Sequence, residues 1–208
     1  MLIPFKTILA KYNIQPKGIL HIGASTGQEA IDYHNAGIKD VVWIEAIPFV
    51  FQSLIKNIEK YPYNIAFNEC IGDEDGEEVK FNISSHGAQS SSIFEFGTHK
   101  KAHPEVRFIN SFKAVTKRVD TLFKEHELEF ENYDFLNIDL QGAELMALKG
   151  IDLTKVNYAY LEVNKAELYV GCPLIEEIDT YMWLFGFERV ETEWCGNTNW
   201  GDSLYIKK

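Results

Sequence analysis

The chain has 208 residues, 46% of them hydrophobic, with 31 acidic against 20 basic side chains and a formal net charge of −11. That length suits one domain with a full core, spanning 1–208, and the hydrophobic share excludes a disordered chain. The charge argues against a nucleic-acid surface, because phosphate binding needs a local excess of Lys and Arg, and only Lys100-Lys101 and Lys113 to Arg118 form small basic spots.

Pro4 to Tyr12 reads as a short amphipathic helix within an N-terminal extension, 1–17, with Phe5, Ile8, Leu9 and Tyr12 at helical spacing. It is expected to pack on the sheet edge. Next, the apolar Ile19, Leu20 and Ile22 form a first strand that delivers the backbone to Gly23 and Gly27, where missing side chains allow a tight turn and close approach of a ligand. A helix from Gln28 to Asn35 closes near Gly37 and leads into a second strand, Val41 to Ala46. Glu45 near the end of that strand lies 24 positions after His21, where a carboxylate in such folds accepts hydrogen bonds from both ribose hydroxyls. The loop holds Ser25 and Thr26 between only two glycines, so it lacks the third glycine of a pyrophosphate fingerprint and suits S-adenosylmethionine better than a dinucleotide.

Pro48 to Lys60 reads as a helix with Pro48 in its first turn, and Asn64 to Ile71 as a third strand. Within that strand Asn68 and Glu69 occupy the usual neighbourhood of an adenine ring. The turn Asp73-Glu-Asp-Gly76 leads into a β-extension, Val79 to Ile83, and the Ser-rich stretch Ser84 to Ser92 is the nearest thing to a linker. Val106 to Val119 receives no assignment. Thr121 to His126 is expected to be a helix capped by Asp120. Tyr133 to Leu140 is an almost continuous apolar run, as in a strand buried on both faces, and it ends in Asp139. A helix, Gly142 to Lys149, stops at Gly150, and a fifth strand, Val156 to Val163, ends in Glu162. After the helix Leu174 to Phe185, the segments Phe187 to Trp194 and Ser203 to Lys207 leave no room for a helix between them, so they must pair as an antiparallel hairpin.

Alternating strands and helices that finish in an antiparallel pair describe a doubly wound, Rossmann-like α/β sheet, mostly parallel with a C-terminal antiparallel hairpin. This is the architecture of class I methyltransferases, whereas a nicotinamide dehydrogenase would more often end with another βαβ half. Three cysteines without a C-x-x-C pair indicate neither a disulfide framework nor a structural zinc. Together with the lack of a signal peptide or a membrane-length apolar run, they lead to the expectation of a cytoplasmic protein without a membrane partner.

Phe135-Leu-Asn-Ile-Asp-Leu-Gln-Gly-Ala-Glu-Leu-Met-Ala-Leu-Lys-Gly150 resembles the signature strand and helix of the FkbM family of methyltransferases, which shows I-D-x-E-G-A-E-x-x-x-L-x-G. Three further segments agree: His21-Ile-Gly-Ala-x-x-Gly-Gln-Glu29 with Tyr33, Trp43-Ile-Glu-Ala-x-Pro48, and Ile71-Gly-Asp-x-Asp-Gly76 leading to Ser90-Ser-Ser92. The likeness covers roughly residues 18 to 206 and is specific in its combination. It implies an S-adenosylmethionine-dependent O-methyltransferase acting on a hydroxyl of a small polar molecule, with a sugar or glycan precursor as the leading class. The other readings are a non-catalytic nucleoside-binding module and an NAD-dependent oxidoreductase, the latter disfavoured by the glycine spacing. Two residues depart from the pattern. His21 stands where methyltransferases commonly have an acid that helps hold the methionine ammonium, and Gln141 replaces the usual Glu.

On this reading the cofactor touches His21, Gly23, Ala24, Ser25, Gly27, Glu45, Asn68, Glu69, Ser91 and Asp139. An alcohol must lose its proton during attack on the methyl carbon, so a base or a metal should sit where the methyl points. Asp139 and Glu162 end adjacent strands there, and His86 in the Gly- and Ser-containing loop is a third candidate, ahead of His99 and His103. Asp139, Glu162 and Asn164 also resemble the acid, acid and amide that hold Mg2+ in catechol-type O-methyltransferases. Structural roles for Asp139 and Glu162, as helix anchor and hydrogen-bond partner, remain the alternative. Trp194 and Trp200 flank a loop that can rim a pocket.

Overall fold

A computed structural model describes residues 1–208. Helix α1 (Phe5–Tyr12) is followed by β1 (Gly18–Ile22), α2 (Ala30–Asn35), β2 (Asp40–Ile44), α3 (Pro48–Ile58) and β3 (Asn64–Phe67). An excursion of β4 (Cys70–Ile71), β5 (Glu78–Ser84), α4 (His99–Ala102) and β6 (Phe108–Lys117) comes next. The chain then returns through α5 (Val119–Glu125), β7 (Phe135–Ile138), α6 (Glu144–Lys149), β8 (Tyr158–Asn164), α7 (Ile175–Leu184), β9 (Phe187–Trp194) and β10 (Trp200–Lys207).

The main sheet has seven strands in the order β3-β2-β1-β7-β8-β10-β9, the first five parallel and the last two antiparallel. Its central strands are buried on both faces, which is why their sequences read as unbroken apolar runs. One face presents Leu20, Ile22, Leu136, Ile138 and Leu161 to α5, α6 and α7. The other presents Ile19, Val41, Trp43, Phe135 and Tyr160 to α1, α2 and α3. No helix is long and apolar enough to cross a membrane.

The register positions the site. Ile22 is level with Ile44 and with Ile138, Ile44 with Phe67, and Ile138 with Leu161, while Asp202 pairs with Glu162. The next residue along each parallel strand therefore falls in one row: Asn68, Glu45, Gly23, Asp139, Glu162, with Asp202 beside it. Four carboxylates thus stand at one level at the carboxyl ends of the strands, where open α/β sheets bind ligands.

Several sequence expectations change. Helix α1 lies on a sheet face rather than an edge, because Phe5 packs edge-on against Phe135 at 5.4 Å and Tyr33 at 4.9 Å. The third strand breaks at Asn68 and Glu69 into β3 and β4, and β4 joins the unassigned segment, now β6, and β5 in a second sheet of order β4-β6-β5. The Ser-rich stretch is not a linker: Ser92 bridges Asn82, and Ser91 Oγ accepts from the Ser84 amide at 3.0 Å. Helix α5 starts at Val119, with Asp120 inside it clamping Arg118 through two hydrogen bonds at 2.9 and 2.6 Å. The last strand does form a hairpin with β9, but it also inserts between β9 and β8.

Candidate functional site

A cavity of about 420 Å³ opens above the row of strand ends, between the sheet and the β4-β6-β5 excursion. Its walls include His21, Gly23, Ser25, Glu45, Glu69, Ser91, Asp139, Glu162 and His86, so most of the residues expected from the sequence converge. Seven carboxylates line it and none of its residues is Lys or Arg. Such a surface suits a cation and repels phosphate.

At one end Glu45 is held by its neighbours' backbone. Its Oε2 accepts from the Ser25 amide at 2.9 Å and its Oε1 from the Ile47 amide at 2.8 Å. Burial pushes this carboxyl up to about 7 against the pull of those two amides. Each oxygen keeps a second lone pair, so two further hydroxyl donors fit. Ile47, Val50, Cys70 and Ile71 supply an apolar wall beside it.

Gly23 carries φ +77°, and a Cβ there would fall 1.8 Å from the Asp139 carbonyl oxygen, so its small size serves the junction of β1 and β7 as well as the cavity wall. Gly27 and Ala24 lie outside the cavity. Gly27, at φ +73°, packs under Leu54, where a Cβ would approach its Cδ1 to 2.7 Å, and Ala24 is buried in the core. Asn68 also stays outside: its amide donates to the Glu45 and Ala46 carbonyls at 2.8 and 3.0 Å, clasping the end of β2. Ser91 reaches the wall, but its hydroxyl ties the loop to Ser84.

His21 is buried, and its Nδ1 lies 3.2 Å from the Tyr33 hydroxyl. That hydroxyl accepts from Asn137 Nδ2 at 2.7 Å, so its own proton points to His21 Nδ1. Burial holds the imidazole down at about 4, which leaves a neutral ring whose proton is on Nε2.

At the other end Asp139 opens into the cavity while protein walls it elsewhere; this burial, with Asp202 adding to it, pushes its carboxyl up to about 6. Glu162 is buried and raised well above the ordinary carboxylate range, by burial first and then by Asp139 and Glu144. Gln141 joins the two: its Nε2 donates to Asp139 Oδ1 at 2.7 Å and to Glu162 Oε2 at 2.9 Å, while its Oε1 accepts from the Tyr169 hydroxyl. Gln141 does this from a left-handed backbone, φ +53°. Glu144 caps the same loop, its Oε1 accepting from the Leu140 and Gly142 amides at 2.8 and 3.1 Å.

Ligand atoms of Asp139, Glu144 and Glu162 lie within 4.8 Å of one another. They nevertheless do not fit Mg2+. The Gln141 NH₂ stands between Asp139 and Glu162, and Glu144 is committed to two amides. Asn164, the third member of the expected set, does not line the cavity.

The far end of the cavity was poorly read from sequence. His86 sits exposed on its rim, whereas His99 is buried and lines the cavity together with half-buried His103 and exposed Glu105. His99 stacks on Phe96 at 4.4 Å, and burial holds its imidazole down at about 4. The i, i+4 spacing of His99 and His103 was the available signal. Trp200 also lines this end, together with Phe81, Ile93 and Leu168, while Trp194 is covered by Lys165 at 3.7 Å.

The profile of the Methyltransferase FkbM domain matches residues 21–189. A curated relative, the 2-O-methyltransferase NoeI of Sinorhizobium fredii, is 32% identical over 109 residues; the match covers 51% of this chain but only 41% of the relative's length. Among solved structures, TrmK of M. capricolum in complex with S-adenosyl-homocysteine aligns with a TM-score of 0.56 at 11% identity, over 100% of this chain and 70% of its own. The magnesium protoporphyrin IX methyltransferase ChlM of Synechocystis, with bound SAM, aligns at 0.54 and 11% identity, over 98% and 76%. At such identities the two structures speak for a shared fold.

Proposed function

The chain belongs to the FkbM family of S-adenosylmethionine-dependent methyltransferases, and from that premise we propose that it methylates a hydroxyl of a small polar acceptor, a sugar or glycan precursor. The observation that carries this reading is the single row that places Glu45 at one end of the cavity and the Asp139–Gln141–Glu162 cluster at the other. When bound, S-adenosylmethionine supplies an electrophilic methyl carbon on a positively charged sulfur. Glu45 receives the ribose hydroxyls through its free lone pairs, and the apolar wall beside it takes the adenine. The excess of carboxylates in the wall attracts the sulfonium and excludes acceptors that carry phosphate.

Asp139, open to the cavity and raised to about 6, is matched to accept the acceptor hydroxyl's proton near neutral pH. Glu162, held to the same Gln141 amide, keeps Asp139 oriented toward the cavity. His86, His99 and His103 stand at the acceptor end with Trp200, a mixture of polar edges and flat apolar surface suited to a sugar ring. The likeness to NoeI, a 2-O-methyltransferase, supports the hydroxyl as acceptor. A transfer screen with isotope-labelled donor over neutral saccharides, sugar phosphates and RNA tests the reading. A methyl ether on a neutral saccharide is the expected product; labelled RNA or a labelled amine would overturn it.

A further inference from the structure

An S-adenosylmethionine molecule brings an α-ammonium that needs an acceptor, and the carboxylates of the cavity are not equally free to serve. Glu45 accepts two backbone amides and gives its remaining lone pairs to the ribose on that reading, and Asp139 and Glu162, tied by the Gln141 amide, serve the acceptor's proton. Asp202 Oδ2 accepts from the Leu2 amide at 2.6 Å and from the Tyr160 hydroxyl at 2.7 Å. Glu69 pairs with Lys117 at 3.3 Å, and Glu105 is near His103 at 3.7 Å. His21 is excluded by its tautomer, because a ring that carries its proton on Nε2 and receives one at Nδ1 has no acceptor left.

Glu29 is different. It lines the cavity and is 8% exposed, yet its Oε2 is sealed without any hydrogen-bond partner. Its Oε1 has one contact, with the α-ammonium of Met1 at 3.5 Å, well beyond the roughly 2.7–2.9 Å of a good charge-assisted bond. A buried carboxylate left this incomplete is costly, and the terminal torsion of Glu is soft, so the carboxylate is free to turn toward a donor in the cavity that it lines. Met1, its one partner, is followed by Leu2, whose amide donates to Asp202 Oδ2 at 2.6 Å, so Glu29 stands toward the Asp202 end of the row, away from Glu45.

We propose that Glu29 holds the α-ammonium of the cofactor's amino-acid end, taking over the role that His21 is chemically unable to fill. This rests on the reading that S-adenosylmethionine occupies the cavity. The test is calorimetric and needs no acceptor. S-adenosylhomocysteine and its desamino analogue, in which hydrogen replaces the α-ammonium, are titrated into the wild-type protein and into Glu29→Gln. The wild type should prefer the amino form by about 10- to 100-fold, the range for a hydrogen-bonded charge. In Glu29→Gln the preference should shrink to within about twofold, with the desamino affinity unchanged. A preference that survives in Glu29→Gln, or that is absent from the wild type, overturns the assignment of Glu29. If the variant does not fold, Glu29→Asp, which draws the carboxylate back by one methylene, decides by the same ratio: a smaller preference supports the role and an unchanged one overturns it. Failure of both ligands to bind the wild type overturns the cavity assignment itself, an outcome distinct from the loss of Glu29's role.

Discussion

Asp139 and Glu162 share one hydrogen-bond partner, the Gln141 amide nitrogen, at 2.7 and 2.9 Å. Two acids on neighbouring strands would otherwise repel; the amide fixes both, and Tyr169 fixes the amide by donating to its oxygen. On the proposed reading the cluster is an oriented proton acceptor facing the cavity. Asp139→Asn should retain S-adenosylhomocysteine affinity in calorimetry while lowering kcat for methyl transfer by about 10²–10⁴. Near wild-type turnover in both Asp139→Asn and Glu162→Gln would remove the cluster from the chemistry. Chelators should have no effect on the wild-type rate.

The same crowding makes the ligand-free fold sensitive to pH. The raised carboxyls of Glu45 and Glu144, both about 7, and Asp139, about 6, contribute stability that is fully present below their unfolded values near 4 and is lost as pH rises through the folded ones. His21 and His99, held at about 4, act oppositely: their contribution is present above the unfolded value of 6.5 and is lost as pH falls toward 4. Above pH 6.5 only the carboxyls remain, so the thermal midpoint should fall from there to about pH 8. Glu162→Gln removes one charge from the cluster. It should match the wild type at about pH 5 and exceed it by about 1–3 kcal/mol at about pH 8, measured by melting at both pH values.

The row of strand ends was legible because each apolar run is closed by the residue that matters: Glu45 after Ile44, Asp139 after Ile138, and Glu162 after Leu161. Buried parallel strands write themselves as runs, and the acids stand out against them. The excursion was not legible. In β6, exposed Ile109 and Val115 share one strand with half-buried Phe108 and Phe112, so no single period emerges. Helix α4 has four residues, too few for a helical pattern, which hid the arrival of His99 and His103 in the cavity. The bridging by Gln141 depends on a left-handed backbone that nothing in its side chain announces. Glu29 sat inside a recognised motif but was not singled out, because its meaning depends on the tautomer of His21.

The two loop glycines should differ in their sensitivity to substitution. Gly23→Ala forces a Cβ to 1.8 Å from a backbone oxygen, whereas Gly27→Ala meets the end of a leucine at 2.7 Å. Urea denaturation should show a loss of more than about 3 kcal/mol for Gly23→Ala and about 1–3 kcal/mol for Gly27→Ala. Equal or small losses would mean that the β1–β7 junction is looser than its geometry.

With a net charge of −11 and no Lys or Arg in the cavity wall, the protein should not take RNA as its acceptor. A titration with single-stranded and hairpin RNA at low salt should show no saturable binding. Tight binding that weakens steeply with added salt would reveal a basic patch stronger than the overall charge.

The central claim is that S-adenosylmethionine lies along the row from Glu45 to Asp139, and calorimetry of S-adenosylhomocysteine with the wild type and Glu45→Ala tests it most directly. The account predicts one-to-one binding to the wild type, weakened by about 1–3 kcal/mol in a folded Glu45→Ala protein. Unchanged affinity in that variant, or binding of NAD in preference to S-adenosylhomocysteine, would contradict it.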